Sequence, residues 1–168
     1  MSHNSPPLTE TDDLGWMQEA LALARQAAAS GEVPVGAVVV RDGVCLGRGY
    51  NAPIASQDPT HHAEIAAIRD ACAQAGNYRI PGATLFVTLE PCTQCFGALI
   101  HARIARVVFA ASEPRAGVLG SQLCLHQAEF YNHQIVVESG LLAEESAGLL
   151  RRFFQLRRAG ETGLGLPD

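Results

Sequence analysis

The order of strand-like and helical segments along the chain constrains its fold more than any other feature. Apolar residues at helical spacing predict a first helix from Asp12 or Asp13 to about Ser30. The stretch "VGAVVVRDGVCLGRGY" then predicts a hairpin that turns at Asp42-Gly43, and helices alternate with strands from there to a last helix ending near Arg158. Such alternation is typical of a mostly parallel sheet with helices on both faces. We therefore predict a three-layer α/β/α sandwich around a mixed five-stranded sheet.

Length and composition fit one domain of this kind. The 168 residues are 48% hydrophobic and 17% charged, as in globular proteins and unlike disordered ones. We expect the domain to cover residues 13–159, with mobile tails at 1–12 and 160–168. No apolar run approaches the roughly 18 residues of a membrane span, and "MSHNSPPLTETDD" lacks the basic and apolar parts of a signal peptide. We expect a cytoplasmic protein with no membrane contact.

The charge of the chain bears on whether it binds nucleic acid. The net charge of −5 argues against such binding unless basic residues cluster locally. The chain has 12 arginines and no lysine, and "LLRRFFQLRRAG" places four arginines close together at 151, 152, 157 and 158. Arginine can bind phosphate through two donors or stack on a base. This segment is a candidate RNA contact, and the alternative is a solvated charged face.

Two motifs carry side chains that suit zinc. "THHAEI" places His62 and Glu64 at the expected start of the second helix, and "EPCTQC" places Cys92 and Cys95 at the start of the third. Cysteines three residues apart lie on one helix face, and a helix N-terminus favours the thiolate. A lone Cys-X-X-Cys also occurs in redox pairs and structural zinc sites. The cysteine motif alone therefore does not decide the function.

The two motifs together favour a catalytic zinc site. If the two helix starts meet at the edge of the sheet, His62, Cys92 and Cys95 can hold zinc and leave its fourth position open for water. Glu64 lies about 200° around a regular helix from His62, so it suits proton transfer with that water better than metal binding. His61 competes with His62 for the ligand position.

The paired motifs resemble a known signature. His-X-Glu followed by Pro-Cys-X-X-Cys is similar to the motif of zinc-dependent nucleobase deaminases, in which the histidine and cysteines bind zinc and the glutamate transfers protons. This register selects His62 over His61. The flanking stretches resemble bacterial tRNA-specific adenosine deaminases over about residues 14–158. They are "EVPVGAVVV", "GRGYNAPI", "DPTHHAEI", "NYRI", "ATLFVTLEPCTQC", "GALIHARI", "RVVFAA" and "FFQLRR".

The resemblance implies a fold, a cofactor and a reaction. The expected fold is cytidine-deaminase-like, with one Zn²⁺ per chain and a homodimer. The expected reaction is hydrolytic conversion of adenosine to inosine at the wobble position of a tRNA, chiefly an arginine tRNA, bound through its anticodon stem-loop. Glu64 is the expected catalytic residue, while His62, Cys92 and Cys95 are the expected zinc ligands.

The resemblance also implies substrate contacts, each with a structural alternative. Asn51 matches a residue that hydrogen-bonds the flipped base, but asparagine often bonds its own loop. Val33 and Pro34 match pocket-lining positions, but their stretch can equally be a core strand. Phe153 and Phe154 are adjacent, so one of them can face outward and stack on a base, or both can be packed in the protein. The expected substrate-binding residues are Asn51, Val33, Pro34, Glu113, Phe153, Phe154 and Arg157.

Two departures from the family pattern lie in one loop. Glu113 stands where the family commonly has aspartate at a position that contacts the substrate sugar, and its longer side chain must withdraw or shift. Arg115 replaces the familiar lysine, which keeps the positive charge but changes its shape.

Two other functions stay open from the sequence. One is a deaminase of the same fold that acts on a free base or nucleoside, such as guanine or cytosine. The other is a non-catalytic zinc module that binds RNA or a partner protein, which would need a fourth protein ligand from Cys124, His126 or His133. His101, on an apolar helix, is expected to be packed or at an interface.

Overall fold

Helices and strands alternate along the chain in the computed structural model, which describes residues 10–160. The expectations for residues 1–9 and 161–168 lie outside this range. In chain order, the elements are α1 (Glu10–Ala29), β1 (Gly36–Arg41), β2 (Val44–Tyr50), α2 (Pro53–Ser56), α3 (Ala63–Ala75), β3 (Thr84–Leu89), α4 (Thr93–His101), β4 (Arg106–Ala111), β5 (Val136–Ser139) and α5 (Ala143–Arg158).

The strands form one mixed sheet in the order β2-β1-β3-β4-β5. Strand β1 is antiparallel to both of its neighbours, β2 and β3, whereas β3, β4 and β5 run parallel. The predicted mixed five-stranded sheet is confirmed. Because β3 and β4 are parallel, their carboxyl ends meet at one edge, and the segments that follow them lie side by side there.

Alternating side chains of the strands build a core on each face of the sheet. Val38 and Val40 of β1 pack with Met17 of α1 on one face. Their neighbours Ala37 and Val39 pack with residues of α3 and α4 on the other. This period-2 pattern follows from strand geometry, since successive side chains point to opposite faces. The predicted three-layer arrangement is confirmed.

The hairpin turns where the sequence predicts it. Asp42 and Gly43 both have positive φ, at 54° and 73°, as a two-residue turn of the mirror-image type I class requires. The pairing register shifts between Val39 and Val40, because Leu46 of β2 is the extra, unpaired residue of a β-bulge.

Two helix starts differ from the predictions. Helix α1 begins at Glu10, so Asp13 lies inside its first turn and accepts a hydrogen bond from Arg106 instead of capping the helix. Helix α3 begins at Ala63 and not at His61, because the preceding segment contains the short helix α2 and a turn. No helix within residues 10–160 combines the length and apolar character needed to cross a membrane.

Candidate metal centre and active site

Two helix starts bring the predicted zinc ligands together. His62 occupies the position before α3, Cys92 the position before α4, and Cys95 lies in the first turn of α4. Gln94 joins these starts, since its Nε2 donates to the carbonyl oxygen of Thr60 at 3.1 Å. The Nδ1 of His62 lies 3.6 Å from the Sγ of Cys92 and 3.4 Å from the Sγ of Cys95.

These distances fit a tetrahedral zinc ion. Zinc bonds of about 2.0 Å to nitrogen and about 2.3 Å to sulfur place two such ligands about 3.5 Å apart. The ligand atoms of His62, Cys92 and Cys95 all lie within 4.8 Å of one another. The three residues therefore form a zinc-binding site of the composition that the sequence predicts.

No fourth protein ligand joins this cluster among the described residues. Of the three spare candidates, Cys124 is exposed and the Nε2 of His133 is within 2.7 Å of the carbonyl oxygen of Ile104. His126 also lies outside the cluster. Three ligands with one position open to solvent is the pattern of catalytic zinc sites, and structural sites are usually closed by four.

The two thiols differ in how readily they lose a proton. The pKa of Cys92 is lowered to about 4, chiefly by the hydrogen bond from the Cys95 thiol and also by the interaction with His62. The same hydrogen bond, together with burial, raises the pKa of Cys95. The bond to Cys92 raises the pKa of His62. One thiolate is thus present at neutral pH, and zinc binding displaces the remaining protons.

Glu64 is buried beside this cluster without belonging to it. Its side chain is 4% exposed in the first turn of α3, and it interacts with His62 and Cys95. Burial raises the pKa of Glu64, because desolvation penalises the carboxylate. A carboxyl group with a raised pKa next to a metal site suits proton transfer near neutral pH.

Asn51 holds the start of α3. Its Oδ1 accepts a hydrogen bond of 2.8 Å from the N–H of Ala63, the residue after His62. This is the structural role that the sequence offered as an alternative. The Nδ2 of the same amide has no hydrogen-bond partner among the described residues, which leaves a donor for a ligand.

The segment that contains Val33 and Pro34 is tied to the loop after β2. Val33 is half-buried against the core and Pro34 is buried. The N–H of Asn51 donates to the carbonyl oxygen of Val35 at 3.1 Å. Glu32, which the sequence reasoning missed, is buried and accepts hydrogen bonds from the N–H groups of Ile54 and Ala55.

The loop between β4 and β5 is organised by a second buried carboxylate that the sequence reasoning missed. Glu90, between β3 and Pro91, accepts hydrogen bonds from the backbone of Glu113, Leu119 and Ser121. The side chain of Glu113 itself accepts a hydrogen bond from the N–H of Arg115 at 2.9 Å, so it turns back onto its own loop. The one sequence signal that could have identified Glu90 is its position directly before Pro91 and Cys92.

Helix α5 separates its two phenylalanines. Phe153 is 3% exposed and Phe154 is 40% exposed, so one faces the core and the other faces out, as the sequence allows. Phe153 is thus part of the core, and its expected contact with substrate stays a prediction. The Arg157 guanidinium lies 5.5 Å from the Phe153 ring centre, and the four clustered arginines are exposed. His101 is exposed at the end of α4, so it is not packed.

Comparison with known proteins gives a consistent assignment. Residues 10–111 match the zinc-binding region of cytidine and deoxycytidylate deaminases. The tRNA-specific adenosine deaminase of Haemophilus influenzae is 49% identical over 143 residues, which are 84% of this chain and 83% of the relative. The enzyme of the same name from Bacillus subtilis is 44% identical over 145 residues, covering 86% of this chain and 90% of the relative.

Solved structures agree with these relatives. A structure from a study of A-to-I editing by tRNA:A34 deaminases at the wobble position superposes with a TM-score of 0.79 at 44% identity, covering 81% of this chain and 99% of that one. The guanine deaminase of Nitrosomonas europaea has a TM-score of 0.71 at 24% identity, covering 91% and 95% of the two chains. That second likeness extends to the fold alone.

Proposed function

The chain belongs to the tRNA-specific adenosine deaminases, and from this premise we propose that it converts adenosine to inosine at the wobble position of a tRNA by zinc-dependent hydrolysis. The observation that carries this function is the His62, Cys92 and Cys95 site with Glu64 buried beside it. The site accounts for the chemistry. Identities of 49% and 44% to enzymes of this family over more than four-fifths of the chain account for the substrate.

The roles of the residues follow from their positions. His62, Cys92 and Cys95 would hold the zinc ion, which would supply Lewis acidity for activating a water toward C6 of adenine. Glu64 takes the first proton from the attacking water and delivers it to the ring nitrogen, and it then passes the second proton of the same oxygen to the departing amino group, which leaves as ammonia. Its burial suits this shuttle, because a raised pKa brings the carboxyl group closer to the working pH.

The substrate contacts are proposed from the resemblance to the family, together with the exposure and hydrogen bonds of each residue. The Nδ2 of Asn51 donates to the flipped base, and Val33 and Pro34 line the pocket beside it. The segment of Glu113 faces the sugar, although its side chain must first release the N–H of Arg115. On α5, the exposed Phe154 stacks on an anticodon base and Arg157 binds phosphate, while Phe153 supports both from the core.

Oligomeric state and location belong to the same proposal. We infer a homodimer from the resemblance to the family, and the exposed side chains of Leu123 and Phe130 supply apolar surface for such a contact. A tRNA substrate also places the enzyme in the cytoplasm.

The test is inosine formation on a synthetic anticodon stem-loop with adenosine at the wobble position. Free adenosine, cytidine and guanine are assayed in parallel, and Glu64→Ala with measured zinc content is the control. We expect product from the stem-loop alone, and loss of turnover in Glu64→Ala with about one zinc per chain retained. Product from a free base or nucleoside, with none from RNA, would keep the zinc chemistry and overturn the substrate.

A further inference from the structure

Glu90 is a buried carboxylate that takes no part in the zinc site or in the proposed chemistry. It is 3% exposed, and its two oxygens accept hydrogen bonds from one loop. The Oε1 atom accepts from the N–H of Glu113 and the hydroxyl of Ser121, at 3.1 and 2.5 Å. The Oε2 atom accepts from the N–H groups of Leu119 and Ser121, at 3.0 and 3.1 Å.

These partners lie 23 to 31 residues away from Glu90 along the chain. The carboxylate therefore joins the beginning of the loop, at Glu113, to its end, at Ser121. The backbone adds one more tie, since the N–H of Val118 donates to the carbonyl oxygen of Pro91 at 3.1 Å. Pro91 directly precedes the zinc ligand Cys92. The loop is therefore attached to two consecutive residues, Glu90 and Pro91, which directly precede the zinc ligand Cys92.

Gly117 shows how closely the loop packs on this carboxylate. A Cβ atom at position 117 would lie 2.2 Å from the Oε2 of Glu90 and 2.6 Å from the carbonyl oxygen of Glu113. The backbone of Gly117 does not have positive φ, so conformational freedom is not what favours glycine there. Glycine is favoured at position 117 because the carboxylate of Glu90 leaves no room for a Cβ atom.

We propose that Glu90 is a positioning residue, which fixes the loop of residues 113–121 to the zinc-ligand segment and so sets where Glu113 meets the substrate sugar. This inference rests on the proposed function, because it assigns the purpose of the clamp to RNA binding. A carboxylate is suited to the role because it accepts at both oxygens and donates at neither. The three backbone N–H groups of the loop thus share one rigid acceptor.

The substitution Glu90→Gln separates this role from mere packing. Glutamine has nearly the same shape, but its NH2 group replaces one of the two acceptors. Whichever way the amide is turned, at least one backbone N–H of the loop then faces a donor. The variant therefore loosens the loop without creating a cavity, and hydrogen exchange of the loop amides reports this independently of any activity.

The experiment combines hydrogen exchange, zinc analysis and kinetics on the anticodon stem-loop. For Glu90→Gln we expect faster exchange confined to residues 113–121 and about one zinc per chain. We also expect KM to rise about tenfold, with kcat within about threefold of the wild-type value. Ser121→Ala removes one of the four hydrogen bonds and should give the same pattern with a smaller change in KM.

Two further variants complete the design. Glu32→Gln is the matched control, because Glu32 is also buried and accepts from two backbone N–H groups. It should accelerate exchange near Ile54 and Ala55 and leave residues 113–121 unchanged. In the double variant Glu90→Gln/Glu113→Ala, the rise in KM should be less than the product of the two single effects, since both act through one contact.

The outcomes distinguish the inference from the function on which it rests. If the wild-type enzyme converts the stem-loop and Glu90→Gln has the same KM as the wild type, the inference alone is overturned. Loss of zinc from Glu90→Gln would also overturn it. No wild-type turnover of the stem-loop would overturn the proposed function, and the inference with it.

Discussion

Asn51 directly follows β2, where its side-chain oxygen accepts a hydrogen bond from the N–H of Ala63. That bond satisfies one of the free N–H groups at the start of α3, next to the zinc ligand His62. The other end of the amide has no partner among the described residues. One side chain can thus hold the helix through its oxygen and contact the base through its nitrogen, so the two interpretations offered by the sequence are compatible.

The substitution Asn51→Asp tests the base contact at this residue. Aspartate keeps the acceptor for Ala63 and removes the Nδ2 donor. We expect kcat/KM on the stem-loop to fall about tenfold or more, while the free energy of unfolding changes by less than about 0.5 kcal/mol. Steady-state kinetics and chemical denaturation measure the two quantities.

Asn51→Ala is the companion variant, because it removes both ends of the amide. It should lose activity and also about 1 kcal/mol of stability, as expected for a residue that satisfies a helix start. Full activity of the aspartate variant would limit Asn51 to holding its loop.

At the scale of elements, the position of α3 depends on two glycines of β2. A Cβ atom on Gly47 would lie 2.3 Å from the carbonyl oxygen of Ala67, and one on Gly49 would lie 2.4 Å from that of Ala63. Glycine ordinarily weakens a strand, so its presence here marks the close approach of another backbone. The helix that follows His62 and carries Glu64 therefore rests directly on the strand.

We expect Gly49→Ala to damage both stability and metal binding. The added methyl group meets backbone atoms of α3, which can yield only if the helix moves. The free energy of unfolding should fall by about 2–3 kcal/mol, and zinc content should drop well below one per chain because His62 moves with the helix. Denaturation and metal analysis of the purified variant test this.

Gly15→Ala is the matched control for that change. Gly15 lies in α1, and a Cβ atom there would have no neighbour within 4 Å. This variant should gain about 0.5–1 kcal/mol, because alanine is the better helix former. Retention of full zinc by Gly49→Ala would show that α3 adjusts without moving its first turn.

The two phenylalanines of α5 give the second prediction at this scale. Phe153→Ala should lower the free energy of unfolding by about 3–5 kcal/mol, because it empties a buried site. Phe154→Ala should leave stability within about 0.5 kcal/mol and raise KM for the stem-loop, since base stacking on an aromatic ring contributes about 1–3 kcal/mol. Parallel denaturation and kinetics separate the roles, and an unchanged KM for Phe154→Ala would remove α5 from the RNA interface.

For the whole molecule, the sheet has a hydrophobic core on each face, and neither core includes one of the three zinc ligands. The zinc ligands lie at the starts of α3 and α4, and the site has three protein ligands among the described residues. A metal in such a position serves chemistry more than folding.

We therefore expect a chelator to abolish inosine formation and to leave the far-UV circular dichroism spectrum nearly unchanged. Addition of zinc should restore turnover, whereas magnesium should not, because thiolate ligands select softer ions. Dialysis against the chelator, followed by spectroscopy and assay, measures both effects. Collapse of the helical signal on chelation would indicate a structural metal instead.

The sequence by itself determined the order of the elements and the zinc ligands. Helical spacing, β-branched runs and the Asp42-Gly43 turn are local properties, so they predict each element from its own residues. The identities of His62, Cys92 and Cys95 could also be predicted, because each lies in a short motif at a helix start. Adjacency on a helix allowed one phenylalanine to face the core and one to face solvent, but only the structure shows that Phe153 is buried and Phe154 exposed.

Only the tertiary structure decided how distant segments meet. The strand order, the first turn of α1 and the bond from Asn51 to Ala63 depend on contacts that no local pattern contains. Glu32 and Glu90 were missed for the same reason, since the hydrogen-bond partners of each lie more than 20 residues away. A buried carboxylate finds its donors only after the chain has folded, because those donors are backbone N–H groups that every residue except proline carries.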